Sequence, residues 1–289
     1  MTSVFDPARL MALPPRVTVA SHTERDVILY ALGVGVGIDS PTSASTLRHA
    51  YERDLRVLPT MGTVLAWPGF WMMEPQYGID WKRVLHAEES LEVHEPLPVR
   101  GEIRGELRIE DVFDKGADKG ALVFTRRDLR DTADGRLLAT ERRTLFLRGD
   151  GGRGGKTTPT PPPHALPDRA PDLDVALPTR TDQALLYRLN GDPNPLHVDP
   201  EVARQGGYAK PILHGLCTYG VAGRALLAAL CDDDAARFRR MDCRFSAVVE
   251  PGDTLVTEIW REGDGIAAFR VRARERDTVV LNNGRFIFG

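Results

Sequence analysis

Six segments of this chain alternate apolar and polar residues, three in each half. In RGEIRGELRIEDV, residues 100–112, the side chains of Ile103, Leu107 and Ile109 share one face, and charged side chains occupy the other. A period of two is typical of a half-buried β-strand, and short connections between such strands predict antiparallel neighbours. Each half is therefore predicted to end in an antiparallel sheet. The other five segments are residues 120–131, 137–149, 253–264, 265–277 and 278–288.

A stretch rich in Gly, Pro and Thr separates the two groups of strands. Residues 149–172 read GDGGRGGKTTPTPPPHALPDRAPD and contain too few apolar side chains to bury a core of their own. Such a composition is typical of a linker. It divides the 289 residues into a first half, residues 1–148, and a second half, residues 173–289, each long enough for one domain.

A long apolar segment, KPILHGLCTYGVAGRALLAALC, precedes the strands of the second half at residues 210–231. Pro211 stands where a helix could begin, and a helix that is apolar on nearly every face is buried on most sides. One long helix wrapped by a curved antiparallel sheet is the hot dog arrangement. In the first half, residues 23–37, TERDVILYALGVGVG, form a poorer counterpart that Thr23 could cap and that its glycines end early. We therefore predict an α+β fold of two tandem hot dogs, the first of them degenerate.

Composition and charge exclude several function classes. The net charge of −3 gives no electrostatic footprint for nucleic acid or for an anionic membrane surface. The longest apolar run is interrupted by Arg224 and is too short to span a bilayer, and the N-terminus lacks the apolar core of a signal peptide. The three cysteines, Cys217, Cys231 and Cys243, form no CxxC pair, which indicates reduced thiols and no zinc site. We expect a cytoplasmic protein.

Residues 189–200, LNGDPNPLHVDP, place an Asp, an Asn and a His in a loop that prolines stiffen. Such a loop can hold Asp192 and His197 for acid/base chemistry. One structural alternative is that Asp192 and Asn194 only cap turns while His197 bonds to backbone. A second alternative is a metal held by Asp192, His197 and Asp199, although no further His or Cys cluster supports it.

The helix that follows this loop is expected to contain Gly215 in its first turn. A backbone N–H in the first turn has no acceptor within the helix and lies at the positive end of the helix dipole. Glycine lets a ligand approach that N–H closely. An acid/base pair beside such a donor suits a reaction in which negative charge develops on a carbonyl oxygen. For His214, the preceding residue, we expect a structural role at the start of the helix.

ALLYRLNGDPNPLHVDP, followed by KPILHGLCTYG, resembles the signature of the (R)-specific enoyl-CoA hydratases of type 2, within the MaoC-like dehydratases. The segments RVLHAEESLEVHEPLP, DVFDKGADKG, GDGGRGGK and MDCRFSAVVEPGDTL are similar to the two-hot-dog hydratases, including the hydratase part of peroxisomal multifunctional enzymes. The resemblance implies reversible syn hydration of a trans-2-enoyl-CoA to a (3R)-3-hydroxyacyl-CoA. It also implies an acyl-CoA substrate, no metal or other cofactor, and a homodimer.

The resemblance implies a role for each matching residue. Asp192 and His197 would hold and activate water, and Asn194 would orient the water and the histidine. The Gly215 N–H would bind the thioester oxygen. Which member of the Asp192–His197 pair is the base stays open, because a coupled pair titrates as a unit. The residues implied to contact the CoA thioester or the acyl chain are His86, Ala87, Lys115, Gly191, Pro193, Pro195, Leu196 and Phe245, and the family often has glycine at the position of Ala87.

Other functions are compatible with parts of the sequence. Within the family, the alternative is a hydratase or dehydratase for a bulky, branched or steroid side-chain enoyl-CoA, since a degenerate first hot dog usually leaves room for a large acyl group. A hot dog thioesterase would not require His197 together with Asn194, and a non-catalytic acyl-CoA binding protein would not require the intact loop. We expect one active site per chain, in the second half, with the first half providing room for the acyl chain.

Overall fold

The computed structural model describes residues 4–158 and 160–289; residues 1–3 of the predicted first half and residue 159 of the predicted linker lie outside it. Within the described residues, ten strands form one antiparallel sheet. The strands of the first half are β1 (Arg16–His22), β2 (Val84–Val93), β3 (Gly101–Asp114), β4 (Ala121–Asp131) and β5 (Leu137–Leu147). The strands of the second half are β6 (Leu173–Pro178), β7 (Phe238–Phe245), β8 (Thr254–Gly263), β9 (Ile266–Ala273) and β10 (Thr278–Phe288).

The two halves of the sheet have the same topology. The strand order is β1-β3-β4-β5-β2-β7-β10-β9-β8-β6, so the first half occupies one side and the second half the other. Strands β2 and β7 join the halves, with Glu88 opposite Arg244 and Glu92 opposite Arg240. Each half runs from one strand through a helical region to four strands. All six strands predicted from the alternating segments are present, and their neighbours are antiparallel as expected.

Six α-helices and several 3₁₀ turns connect the strands in the described part of the chain. The α-helices are α1 (Pro7–Met11), α2 (Glu24–Gly33), α3 (Ala44–Ala50), α4 (Gln183–Tyr187), α5 (Pro200–Gln205) and α6 (Gly215–Cys231). The 3₁₀ turns are Pro59–Thr63, Trp71–Met73, Pro75–Tyr77, Trp81–Arg83, Arg188–Asn190, Pro195–His197, Ala235–Arg237 and Arg274–Arg276. None of the helices among these residues has the length and apolar character needed to cross a membrane.

Helix α6 is the predicted buried helix. Twelve of its 17 residues are buried, and it packs against β6, β7, β8 and β10. It begins at Gly215 rather than near Pro211, because the chain before it is extended and the Leu213 N–H donates to Val249 O at 2.7 Å. Glycines on α6 let the first half approach closely: a Cβ on Gly220 would lie 2.5 Å from a methyl group of Val34. One apolar core therefore extends through both halves.

Helix α2 forms as predicted, but it is not the counterpart of α6. The Thr23 N–H donates to Asp26 Oδ2 at 2.8 Å and so caps the start of α2. The helix follows β1, as α4 follows β6, and these two helices pack together with the Tyr30 and Tyr187 ring centroids 6.2 Å apart. The prediction was wrong because the apolar content of a segment does not determine which sheet position the segment occupies.

The place of α6 in the first half is taken by the 3₁₀ turn Pro59–Thr63, which packs against β2, β5 and α6. Two buried arginines hold its end: Arg127 donates to Gly62 O at 3.0 Å, and Arg143 donates to Thr63 O at 2.9 Å. We call Glu89, Arg127, Glu141 and Arg143 the buried ion cluster, since all four side chains are almost fully buried. In it, Arg127 pairs with Glu141 at 2.8 Å and Arg143 with Glu89 at 3.0 Å, while Glu141 also contacts Arg143.

The first part of the predicted linker lies against the hairpin turn between β3 and β4. The carboxylate of Asp114 accepts the Gly152 N–H at 2.8 Å and the Gly154 N–H at 3.0 Å. A Cβ on Gly151 would lie 2.1 Å from the carbonyl oxygen of Gly116. The glycines of this segment therefore permit a contact between two backbones, and that contact orders the turn that carries Lys115.

Candidate active site

The Asp-x-Asn-Pro-x-His loop folds into the 3₁₀ turn Pro195–His197. Asn194 Oδ1 accepts the Leu196 N–H at 3.1 Å and caps this turn, and Asp192 Oδ1 accepts the Asn194 N–H at 3.2 Å. Asn194 thus acts on the position of His197 by starting the turn, whereas its side chain bonds to backbone rather than to the imidazole. The caps made by Asp192 and Asn194 hold the turn that presents His197. The structural interpretation of this loop is therefore compatible with the functional one.

The ring of His197 is buried and has one nitrogen committed to backbone. Its Nδ1 lies 2.8 Å from Ile212 O, so Nδ1 carries the proton and Nε2 presents a lone pair. Burial lowers the pKa of His197, while the Ile212 carbonyl and Asp192 oppose that shift. A neutral imidazole with a free Nε2 is the form that can accept a proton from water.

A second histidine, His214, lies beside the pair. Potential ligand atoms of Asp192, His197 and His214 all lie within 4.8 Å of one another. The two imidazoles are stacked, with centroids 3.7 Å apart and planes 26° apart, and His214 Nε2 lies 3.3 Å from Asp192 O. Burial and the neighbouring His197 lower the pKa of His214 to about 3. As the residue before α6, His214 accepts helix N–H groups with its backbone carbonyl but makes no side-chain cap, and its ring stacks on His197.

Asp192, His197 and His214 carry the atoms that could bind a metal ion, but the two imidazole rings are not arranged as metal ligands. A metal bound to imidazole lies in the ring plane, about 2 Å from the nitrogen. The stacked rings of His197 and His214 have nearly parallel planes, and these planes do not meet close to both nitrogens. The residue predicted as third ligand, Asp199, instead accepts the Glu201 N–H at 2.8 Å and caps α5. The geometry therefore favours acid/base chemistry over a metal centre.

Gly215 is the first residue of α6, next to the histidine pair. The Cys217 and Thr218 N–H groups donate to His214 O, at 3.1 and 3.2 Å, whereas the Gly215 N–H precedes every possible acceptor within the helix. It therefore points out of the positive end of a 17-residue buried helix. A Cβ at this position would lie 3.1 Å from Phe245 Cε1, so glycine leaves the space beside the N–H open up to the Phe245 ring.

The first half contributes His86 to the same place. The His86 and Phe245 ring centroids are 4.6 Å apart, so β2 and the end of β7 meet beside Gly215. Ala87 lies in a bulge of β2, between the pairs His86–Leu145 and Glu88–Thr144. Burial and the nearby Arg143 lower the pKa of His86 to about 3 and keep its ring neutral.

The other predicted contact residues lie around this centre. Gly191, Pro193 and Pro195 are exposed and Leu196 is half-buried, so the loop presents them at the surface. Lys115 is exposed in the β3–β4 turn, with its Nζ 5.2 Å from the Phe146 ring centroid. Phe146 pairs with Leu85 on β2, one position before His86 and farther from the Asp192–His197 loop. Lys115, which contacts Phe146, therefore lies farther from that loop than His86 does.

Sequence reasoning missed two groups next to the site. Tyr187 is fully buried, and its ring centroid lies 5.0 Å from that of His214. Glu89 is buried with its Oε2 2.9 Å from His86 Nε2. The signal for Glu89 was available, since it alternates with Leu91 and Val93 on the inward face of β2, where an acidic residue needs a partner.

Two family descriptions together account for nearly all of this fold. The MaoC like domain matches residues 163–283, and the MFE-2 hydratase 2 N-terminal domain matches residues 21–149. A protein from Mycobacterium tuberculosis with a double hotdog fold has a TM-score of 0.56 over 96% of both chains at 16% identity. The fold and the site thus define a double hot dog protein of the MaoC-like class.

Nearer relatives narrow this class. The chain is 43% identical over 278 residues to the enoyl-CoA hydratase ChsH3 of Mycobacterium tuberculosis, which covers 94% of both chains. The crystal structure of a MaoC-like dehydratase from Phytophthora capsici has a TM-score of 0.86 at 33% identity, over 98% of both chains. The chain therefore belongs to the enoyl-CoA hydratase 2 family of MaoC-like dehydratases, as the resemblance in the sequence implied.

Proposed function

We propose that this protein hydrates trans-2-enoyl-CoA reversibly and with syn addition to (3R)-3-hydroxyacyl-CoA. The observation that carries the proposal is that Asp192, His197 and His214 lie with their polar atoms within 4.8 Å of one another, and that His214 directly precedes the Gly215 N–H at the start of α6. This set provides a site for water, a proton acceptor and an oxyanion donor on adjacent elements. A thioesterase would have no use for a water held for attack on the β-carbon.

The reaction follows from Asp192, His197 and the Gly215 N–H. Water held between Asp192 and His197 loses a proton to the pair, and its oxygen bonds to the β-carbon. The electrons of the double bond move towards the thioester, and negative charge collects on its oxygen as an enolate. The Gly215 N–H stabilises that charge, a contribution of about 3 kcal/mol for a donor of this kind. The pair then returns the proton to the α-carbon from the same face, so the addition is syn and needs no metal or redox cofactor.

The direct test follows the enoyl thioester chromophore and free thiol in one reaction. We expect the conjugated absorbance to fall with no release of CoA. Free CoA formed at the same rate would identify a thioesterase, and binding with no change in absorbance would identify a binding protein. A coupled (3S)-specific dehydrogenase should give no NADH, whereas NADH production would contradict the (3R) product.

We propose a division of labour in which residues 173–289 carry the chemistry and residues 1–148 provide room for the acyl chain. A cavity of about 200 Å³ supports it: Val36 and Leu58 of the first half and Leu227 and Ala228 of the second form part of an apolar side, while half of the lining residues are polar. Ala228 is 13 residues from Gly215, about 20 Å along α6, so a short acyl group would not reach it.

A panel of enoyl-CoAs of increasing length tests this assignment. Ala228→Phe should lower kcat/KM for long-chain substrates and leave the shortest unchanged, because the added ring narrows only the far end. Ala236→Phe, at an exposed residue of the 3₁₀ turn that follows α6 and outside the lining, is the control. An equal loss for every chain length would contradict the assignment.

We propose a homodimer in a reducing compartment such as the cytoplasm. Strand β1 stands at the edge of the sheet with Val17 47% and Val19 50% exposed, and such an edge is open to pairing. The three cysteines are free and buried, as expected where disulfides do not form. Light scattering should give twice the chain mass, and Val17→Lys/Val19→Lys should give a monomer. A monomeric wild-type protein would contradict the dimer.

A further inference from the structure

The buried ion cluster ends at a residue of the proposed active site. Glu89 Oε2 lies 3.0 Å from Arg143 Nε on one side and 2.9 Å from His86 Nε2 on the other. The His86 ring packs on Phe245, and Phe245 forms the wall beside Gly215. A row of contacts thus connects the core of the first half with the N–H that is proposed to bind the thioester oxygen.

The surroundings of His86 select one form of its ring. Two oxygens face Nε2, namely Glu88 O at 3.1 Å and Glu89 Oε2 at 2.9 Å. The proton of the neutral ring therefore lies on Nε2, and Nδ1 keeps its lone pair. The hydrogen bond of Nε2 goes to the Glu88 carbonyl in the backbone of the bulge, and Glu89 is the side chain whose close contact limits how the ring can turn against Phe245.

The packing of the cluster does not by itself require Glu89. Glu141 contacts both Arg127 and Arg143, so one carboxylate already bridges the two guanidinium groups. Glu89 is the acidic member that also reaches a residue of the site. Burial raises the pKa of Glu89 and Arg143 opposes that shift. Glutamine has the size and shape of glutamate, so Glu89→Gln keeps the packing of this side chain while it removes its charge.

We propose that Glu89 is a positioning residue for the thioester end of the site, an inference that rests on the proposed function. The Glu89 carboxyl group lies between Arg143 and the His86 ring, and that ring packs on Phe245 beside Gly215. Glu89 touches neither the substrate nor the reacting atoms, and its effect passes through His86. A displacement of about 1 Å in such a support is enough to cost about 100-fold in rate.

A double-mutant cycle between Glu89 and His86 tests the proposal. Glu89→Leu should lower kcat/KM by about tenfold or more. The loss should lie mainly in kcat, because the variant displaces the reacting groups but still binds the substrate. Glu89→Gln should keep most of the activity, because glutamine fills the same space beside the His86 ring. In the His86→Ala background, Glu89→Leu should have little further effect. Fully additive losses would overturn the proposal.

The chain offers a matched control on the same strand. Glu92 is an acidic residue of β2 on the opposite face, where its Oε2 lies 3.8 Å from Arg142. Glu92→Leu should leave kcat and KM unchanged. If Glu89→Leu does not fold, Glu89→Leu/Arg143→Met takes its place. This double variant removes the ion pair together with the Arg143 contacts, while Arg127 still donates to both Glu141 and Thr63 O.

Nitrogen-15 NMR of the seven histidines separates failure of this proposal from failure of the proposed function. The His86 signals, assigned by their loss in His86→Ala, should show a neutral ring protonated at Nε2. Glu89→Leu should shift them or mix the two tautomers, while Glu92→Leu should not. An unchanged His86 ring in Glu89→Leu would overturn the positioning role even in an active enzyme. An inactive wild-type protein with the expected NMR changes would overturn only the hydratase function.

Discussion

In the second half the sheet packs around α6, a helix with 12 buried residues out of 17, whereas the same place in the first half holds the five-residue turn Pro59–Thr63 and the buried ion cluster. The sheet topology is the same in both halves. The apolar helix α6 fills the space inside its sheet with side chains that need no polar partners. The short turn leaves carbonyl groups without partners inside the core, and the arginines of the cluster satisfy them.

This difference is the basis for the different roles that we propose for the two halves. A long helix has a free N–H at a positive end, and in the second half that end meets the Asp192–His197 loop. The described residues of the first half form no helix at this place, and its sequence contains no Asp-x-Asn-Pro-x-His loop. It contributes walls and supports, through His86 and the buried ion cluster. Two sheets of the same topology can thus differ in function because different elements pack against them.

The largest effect should come from the loop of the second half. Asp192→Asn and His197→Ala should each lower kcat by about a thousandfold, because the water loses its proton acceptor. Circular dichroism and binding of a saturated acyl-CoA should change little. Asp199→Asn is the control, since Asp199 lies in the same loop and only caps α5. Near-normal turnover in either site variant would remove that residue from the proposed pair.

The buried ion cluster should dominate the stability of the first half. Arg127→Met leaves Glu141 and three backbone carbonyls short of a donor, and we expect a loss of about 3 to 5 kcal/mol in the free energy of unfolding. Arg136→Met, which removes the exposed pairs with Asp134 and Glu95, should cost about 0 to 1 kcal/mol. Urea unfolding measures both. Equal losses would show that the cluster does not support this half.

Substitution of one glycine in each half, Gly215 in α6 and Gly62 in the turn Pro59–Thr63, should have a smaller effect on activity that differs between the halves. Gly215→Ala places a methyl group 3.1 Å from the Phe245 ring and narrows the approach to the N–H, so kcat/KM should fall about tenfold to 100-fold. Phe245→Leu in that background should restore part of the loss. Gly62→Ala in the first-half turn would place its methyl group 3.2 Å from Leu91 and should leave kcat unchanged. A comparable loss of kcat in Gly62→Ala would contradict the separation of roles.

The pH dependence should show the smallest effect. Burial lowers the pKa of His197 below its ordinary value of about 6.5, so the free enzyme keeps a neutral imidazole as the pH falls past that value. Activity should decline only when the pH passes through the lowered pKa and the ring gains a proton. The acidic limb of kcat/KM against pH should therefore lie below about 6.5. A limb at or above that value would indicate an exposed histidine or another base.

Much of the fold could be predicted from the sequence because its strands alternate and its long helix is uniformly apolar. The six alternating segments predicted six of the ten described strands, and the assignment of Asp192 and His197 to a catalytic site stays a prediction. The start of α6 and the role of α2 were predicted less well. Helix starts depend on backbone contacts such as Leu213 with Val249, which lie far apart in the sequence.

The supports of the site could not be predicted in the same way. His86 and Glu89 lie on β2, and the ring that His86 contacts, Phe245, lies on β7. These two strands meet only when the two halves join. Stacking of His214 on His197 likewise depends on how the loop turns back onto the helix. A periodic pattern records which face of an element is buried, but not what that face meets.

The most direct test of the contrast between the halves is calorimetric titration of the full chain with a non-reactive acyl-CoA analogue. The account predicts one site per chain, lost or weakened by substitutions around Gly215 and unaffected by Gly62→Ala. Two equivalent sites per chain would contradict it, because the first half would then bind the thioester without a helix to supply the oxyanion donor.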